Sequence, residues 1–261
     1  MNYNIPDNLK LCLGCMDLTT LNSTDTVERV ISFAGKVNRF KEVFPDYPAP
    51  AAICVYPNMG EAVKESLKAE GVKVAVVAGG FPTSQTFLDV KILECRMAVE
   101  SGADEVDIVI ALNAFLANEK ERAAHEIRTI KETIGEKHLK VILETGALQS
   151  EQAIAEASFI AMEAGADFIK TSTGKMEPAA TPTAARIMCN CIKEYYAKTG
   201  KKVGFKPAGG ISTVEDALCY LAIVDEILGK EWLNPQLFRI GASRLANNLL
   251  SELEKKTTVY F

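Results

Sequence analysis

Three side chains could carry covalent or proton-transfer chemistry in this sequence: Lys170 in FIKTSTGK, Lys206 in GFKPAGG and Asp107 in EVDIVI. A lysine in a strand that opens Phe168–Ile169 needs a reason to be there, because an unpartnered buried charge is expensive. One reading lays its stem along apolar surface with the ammonium in water. The other makes it a desolvated amine with a lowered pKa, able to attack a carbonyl. Lys206 precedes Pro207, which disfavours helical geometry and keeps the lysine extended. Two lysines meeting at one rim repel as ammonium ions, so each is expected to lower the other's pKa. Asp107 could then accept and return protons directly or through a water. The simpler alternative is that Asp107 and Lys206 form an ion pair.

Other chemistries are scarce. The chain has two histidines, His125 in a charged helical stretch and His138 just before LKVILETG, too few for a histidine-rich metal site or a Ser-His-Asp triad. No metal and no cofactor is called for. Seven cysteines scattered through a large chain point to reduced thiols. Cys12 and Cys15 spell C-x-x-C, but LCLGC reads as a strand whose alternation sends them to opposite faces, with no second pair to complete a zinc site. Cys189 and Cys191 read as packing residues on a helix. A net charge of −5 leaves no basic footprint for nucleic acid. No stretch is long and apolar enough to span a membrane, and the amino terminus lacks a basic start followed by an apolar run. A cytoplasmic protein is expected.

The elements that must position these residues are legible as apolar runs of four to eight residues: LCLGCMDL, AAICVYP, VKVAVVAG, EVDIVIAL, KVILETG, FIKTSTG, KVGFKPAGG and FRIGAS. Helical spacing lies between them, often opened by Ser, Thr, Asp or Asn. Eight βα units in 261 residues suit a single-domain α/β chain folded as a (β/α)8 TIM barrel. The domain is expected to span 1–261, with a short N-terminal lead-in and a flexible tail over about residues 255–261. Such barrels place chemistry at the C-terminal ends of the strands, which selects Asp17, Asp107, Glu144, Lys170 and Lys206. In EVDIVI the residues Val106, Ile108 and Ile110 share the helix-facing side, turning Glu105 and Asp107 inward. Gly209 and Gly210 after strand seven, with Gly241 and Ser243 after strand eight, could offer backbone N–H groups to a phosphate, and Lys175 could add charge. Cys54 alternates with Ala52 and Tyr56 and is expected to face the barrel, as a small packing residue or as a thiol open to aldehydes.

MDLTTL, AAICVYP, GADEVDIVI, KVILETG, ADFIKTSTGK, VGFKPAGGI and GAS occur in order along nearly the whole chain. With them the sequence resembles the 2-deoxyribose-5-phosphate aldolases, class I Schiff-base aldolases with a (β/α)8 fold. The resemblance implies a Schiff base on Lys170, pKa tuning and proton transfer by Lys206, and a proton relay through Asp107. It implies substrate and phosphate contacts from Asp17, Thr19, Cys54, Thr171, Lys175, Gly209, Gly210, Gly241 and Ser243. Phosphosugar and aldehyde substrates are expected as partners, with a homodimer left open. Three places depart from the family pattern: Ser212 follows PAGGI where many relatives carry a basic residue, Arg244 follows GAS where a small hydroxyl is common, and GGFPTS (79–84) lacks the glycine often found shortly after the FP pair. Tyr260 in the tail is a candidate for closing over substrate. Another Schiff-base barrel with a different donor, or a phosphosugar-binding regulator, would share much of this pattern.

Overall fold

The computed structural model describes residues 5–261, and its eight strands run parallel in one sheet. They are β1 (Met16–Thr19), β2 (Ala52–Val55), β3 (Lys73–Val77), β4 (Glu105–Val109), β5 (His138–Ile142), β6 (Phe168–Lys170), β7 (Gly204–Lys206) and β8 (Ile240–Ala242). Ten α-helices accompany them: α1 (Ile5–Gly14), α2 (Val27–Val43), α3 (Gly60–Ser66), α4 (Leu88–Glu100), α5 (Leu112–Leu116), α6 (Lys120–Ile134), α7 (Glu151–Glu163), α8 (Pro182–Thr199), α9 (Val214–Leu228) and α10 (Leu245–Glu254). Each strand pairs with its sequence neighbour, β1 also pairs with β8, and bridges Phe205 to Phe238 and Ala208 to Gly241 bring β7 against β8. The result is a nearly closed (β/α)8 barrel, a single domain, as the alternation predicts.

The strands are short and buried on both faces, as parallel strands under helices must be. Their outward residues, such as Val106 and Ile108 on β4 or Leu139 and Val141 on β5, form the main apolar core with the helices. Several helices start where the sequence supplies a hydroxyl cap. Thr26, Ser150 and Thr181 each accept from a backbone N–H in the first turn, and Thr213 with Asp216 forms a capping box. These caps offset helix-end amides left without partners.

Two expectations need correction. LCLGCMDL is not one strand: α1 runs through Gly14 and β1 begins at Met16. The buried residues Leu9, Cys12 and Leu13 have the three- and four-residue spacing of a helix stripe, a period hidden by an almost continuous apolar run. Cys12 and Cys15 therefore lie in the same core rather than on opposite strand faces. The tail is not loose either. The Asn247 side chain accepts from the backbone N–H groups of Tyr260 and Phe261, and the Phe261 ring stacks on Phe40 at 5.5 Å. The Tyr260 hydroxyl donates to the Lys36 carbonyl at 2.7 Å and its ring meets Phe44, so it faces α2 rather than the barrel centre. The expected N-terminal lead-in falls partly on residues 1–4, outside the described residues.

Candidate active site

Alternation turns one polar residue after another into the barrel. On β6, Ile169 packs outward while Phe168 and Lys170 face in; on β7, Phe205 packs outward while Gly204 and Lys206 face in. Gly204 is required there because a Cβ would meet the Phe168 ring at 2.3 Å. This interlock sets Lys170 beside Lys206 in the sheet register.

The inward charges form one buried network. Lys170 Nζ donates to Asp107 Oδ2 at 2.8 Å. Lys206 Nζ donates to the same oxygen at 2.7 Å and to Asp17 Oδ2. Lys140 Nζ donates to Glu105 Oε2 at 2.5 Å and Asp107 Oδ1 at 3.0 Å. At the strand starts, Arg239 bonds Glu105 through both terminal nitrogens and Asp17 Oδ1 at 2.6 Å. Four cations thus meet three carboxylates, so with every group ionised the cluster carries one surplus positive charge.

The surplus falls on Lys170. Burial disfavours ionisation of all three lysines, but the carboxylates offset it unequally. Lys206, between Asp107 and Asp17, and Lys140, facing Asp107, Glu105 and Asp17, are held above the ordinary lysine value. Lys170 has only Asp107 as a carboxylate partner and feels the Lys206 ammonium, so burial and repulsion leave its pKa below the ordinary value. The expected mutual lowering of the two lysines is therefore one-sided. Asp107 and Asp17 also resist ionisation through burial, yet their cationic neighbours hold both well below the usual carboxylate range.

A cavity of about 1100 Å³ opens over this end of the barrel, and Lys170 lines it while Lys140 and Lys206 do not. Thr19, Lys175, Gly209, Gly210, Gly241 and Ser243 also line it. The Gly209 backbone has φ +88°, and a Cβ there would press on Ala179 and Gly174. Lys175 Nζ donates to the Leu21 carbonyl at 2.8 Å.

Three sequence-selected residues sit behind this wall. Asp17 is buried in the ion network. Thr171 is committed to Ala208, accepting its N–H at 2.9 Å and donating to its carbonyl at 3.1 Å. Cys54 is buried with Leu21, Ala75 and Val77, and burial pushes its thiol pKa up. Glu144, just past β5, accepts from the Thr173 N–H and hydroxyl and so anchors the β6–α8 loop.

Lys140 and Arg239 were not singled out from sequence. The signal was present: Leu139, Val141 and Leu143 around one, and Phe238 and Ile240 around the other, take the helix-facing positions and leave the charges inward.

The comparisons with known proteins agree with this architecture. A model of the DeoC/LacD family aldolase matches residues 12–244. The deoxyribose-phosphate aldolase of Homo sapiens is 44% identical over 252 residues, covering 92% of this chain and 78% of its own length. That of Mus musculus is 45% identical over 252 residues, with the same coverage of 92% and 78%. Among solved structures, the aldolase QR15 superposes with a TM-score of 0.75 at 27% identity, covering 94% of this chain and 96% of its own. The tetrameric deoxyribose phosphate aldolase from Aeropyrum pernix shares the fold, with a TM-score of 0.72 at 23% identity over 97% and 98% of the two chains. With its matched motifs in order on a parallel eight-stranded barrel, the chain belongs to the DeoC/LacD family of aldolases and is a lyase.

Proposed function

We propose that the protein reversibly cleaves 2-deoxy-D-ribose 5-phosphate to acetaldehyde and D-glyceraldehyde 3-phosphate through an imine on Lys170. One observation carries this reading: of the three lysines in the buried ion network, only Lys170 both lines the cavity and has its pKa lowered. Nucleophilic attack needs the neutral amine, which a lysine of ordinary pKa rarely supplies near neutral pH.

Lys170 Nζ attacks C1 of the ring-opened sugar, and the carbonyl oxygen leaves as water, giving a protonated imine. Breaking the C2–C3 bond sends its electron pair into that imine, forming an enamine. The C3 hydroxyl loses its proton and becomes the aldehyde of glyceraldehyde 3-phosphate. Asp107 does not line the cavity, so that proton reaches it by way of a water. Protonation of the enamine at C2 and hydrolysis of the resulting imine release acetaldehyde and regenerate the amine. Lys206 remains an ammonium throughout, orienting Asp107 and weakening the proton affinity of Lys170. The glycine loops after β7 and β8, with Ser243 and Lys175, receive the 5-phosphate on backbone N–H groups and one ammonium.

Borohydride reduction in the presence of acetaldehyde, followed by peptide mass mapping, tests the covalent step. An ethyl group confined to Lys170, absent without borohydride and absent in Lys170→Ala, is the expected result. Folded wild-type protein with no adduct at Lys170 removes the imine assignment. Deoxyribose 5-phosphate compared with a panel of ketose phosphates then tests the donor.

A further inference from the structure

The cavity is larger than a deoxypentose monophosphate needs, and its charge runs against that of the chain. The protein carries net −5, yet no aspartate or glutamate is among the described residues lining the cavity, while Arg29, Lys36, Lys170, Lys175 and Arg244 all do. Lys175 and Arg244 belong to the loops at the glycine corner. Arg29 and Lys36 belong to a separate wall formed by α2. They are seven residues apart, two helical turns or about 10 Å along one face, with Ser32 between them and also lining the cavity.

Part of the positive charge lining the cavity is unpaired. Lys36 and Arg244 make no ion pair or side-chain hydrogen bond among the described residues. Arg29 meets Asp25 through Nε at 3.5 Å, which leaves its terminal nitrogens free to donate. The neighbouring helix α10 adds amides: Asn248, with its Nδ2 bonded to the Ser212 carbonyl at 2.7 Å, ties the α10 edge to the glycine corner. Cations converging on a concave site whose described lining holds no carboxylate raise the local concentration of anions and favour those with more than one charge.

We propose that the α2 wall is a second anion subsite, taking one phosphoryl group through Arg29, Ser32 and Lys36 while the glycine corner takes another. The cavity then accepts small molecules bearing two phosphoryl groups, which compete with the monophosphorylated substrate. The proposal rests on the reading above only in placing the first phosphate at the glycine corner.

The test uses Lys170→Ala protein, so that no imine forms and binding is separated from chemistry. Calorimetric titration compares propane-1,3-diol bisphosphate with propyl phosphate in Lys170→Ala protein with and without Arg29→Gln/Lys36→Gln. The bisphosphate should bind about tenfold tighter than the monophosphate, equivalent to about 1.4 kcal/mol. That advantage should fall below about twofold in the double variant and shrink with added salt, while the monophosphate Kd stays unchanged. Equal binding of the two probes, or an advantage that survives the double variant, overturns the subsite. Both substituted side chains lie on the accessible face of α2, and a thermal melt matching that of the parent protein confirms that the comparison is between folded proteins. Failure of propyl phosphate to bind at all would instead strike the glycine corner.

Discussion

At the scale of single residues, the site works by dividing charge unevenly. Asp107 Oδ2 accepts from both Lys170 and Lys206, but Lys206 also has Asp17, and this second carboxylate decides which amine keeps its proton. The active form of Lys170 is the neutral one, so turnover should rise with pH through its pKa and the lowered pKa carries activity toward neutral pH. Replacing Lys206 with Met removes an ammonium that repels protonation of Lys170 and frees more of the Asp107 charge to favour it. Both changes raise the Lys170 pKa. The acid limb of the kcat/KM profile should move up by about one pH unit, alongside any fall in the plateau from an Asp107 no longer oriented by Lys206. An acid limb that stays in place, or moves down, would show that Lys206 does not set the Lys170 pKa. Stability follows the same linkage with its own sign. Between the lowered folded pKa and the unfolded value the unfolded chain binds more protons at Lys170, so this residue makes folding more favourable as pH rises through that window.

At the scale of elements, the spacing of Lys170 and Lys206 depends on how β6 meets β7. Phe168 lies across Gly204 two residues below the lysines, in a layer where Arg239 sits over the same ring at 5.7 Å. Gly204→Ala would drive a methyl into a ring that is fully buried and has no free direction to move. It should cost about 1–3 kcal/mol in denaturant unfolding and depress kcat by disturbing the lysine register. A variant with unchanged stability and kcat would show that the interlock is not what sets the strands. Element-level pattern was readable where one face is apolar and the other polar. EVDIVI revealed Asp107 that way, and the same test applied to KVILETG and FRIGAS would have revealed Lys140 and Arg239. The pattern failed in LCLGCMDL, where a helix stripe and a strand follow each other without a polar break.

At the scale of the whole molecule, the last residues complete the wall of the cavity. Val259 and Phe261 line it beside α2, held by Asn247 from α10 and by the ring cluster of Phe33, Phe40 and Phe44. Asn247→Ala removes the acceptor for two backbone N–H groups at once. It should lower stability by about 1–3 kcal/mol and raise hydrogen exchange across residues 258–261 relative to the wild-type protein. Unchanged exchange there would mean that ring packing alone holds the segment. The tail was unreadable beforehand because TVYF has no periodicity and no cap signal, and its ring partners Phe33, Phe40 and Phe44 lie more than two hundred positions earlier in the chain.

The sequence by itself determined the alternation of strands and helices, the inward direction of Asp107, the strand-end placement of the key lysines, and the glycine-bearing loops, because each depends on residue type and local period. Only the tertiary structure decided which amine loses its proton. That outcome depends on the number of carboxylates within hydrogen-bond reach of each lysine, and those carboxylates arrive from β1 and β4, separated in sequence and joined only when the barrel closes. The same closure gathers α2, α10 and the tail around one cavity, and no local pattern in any of the three encodes that meeting.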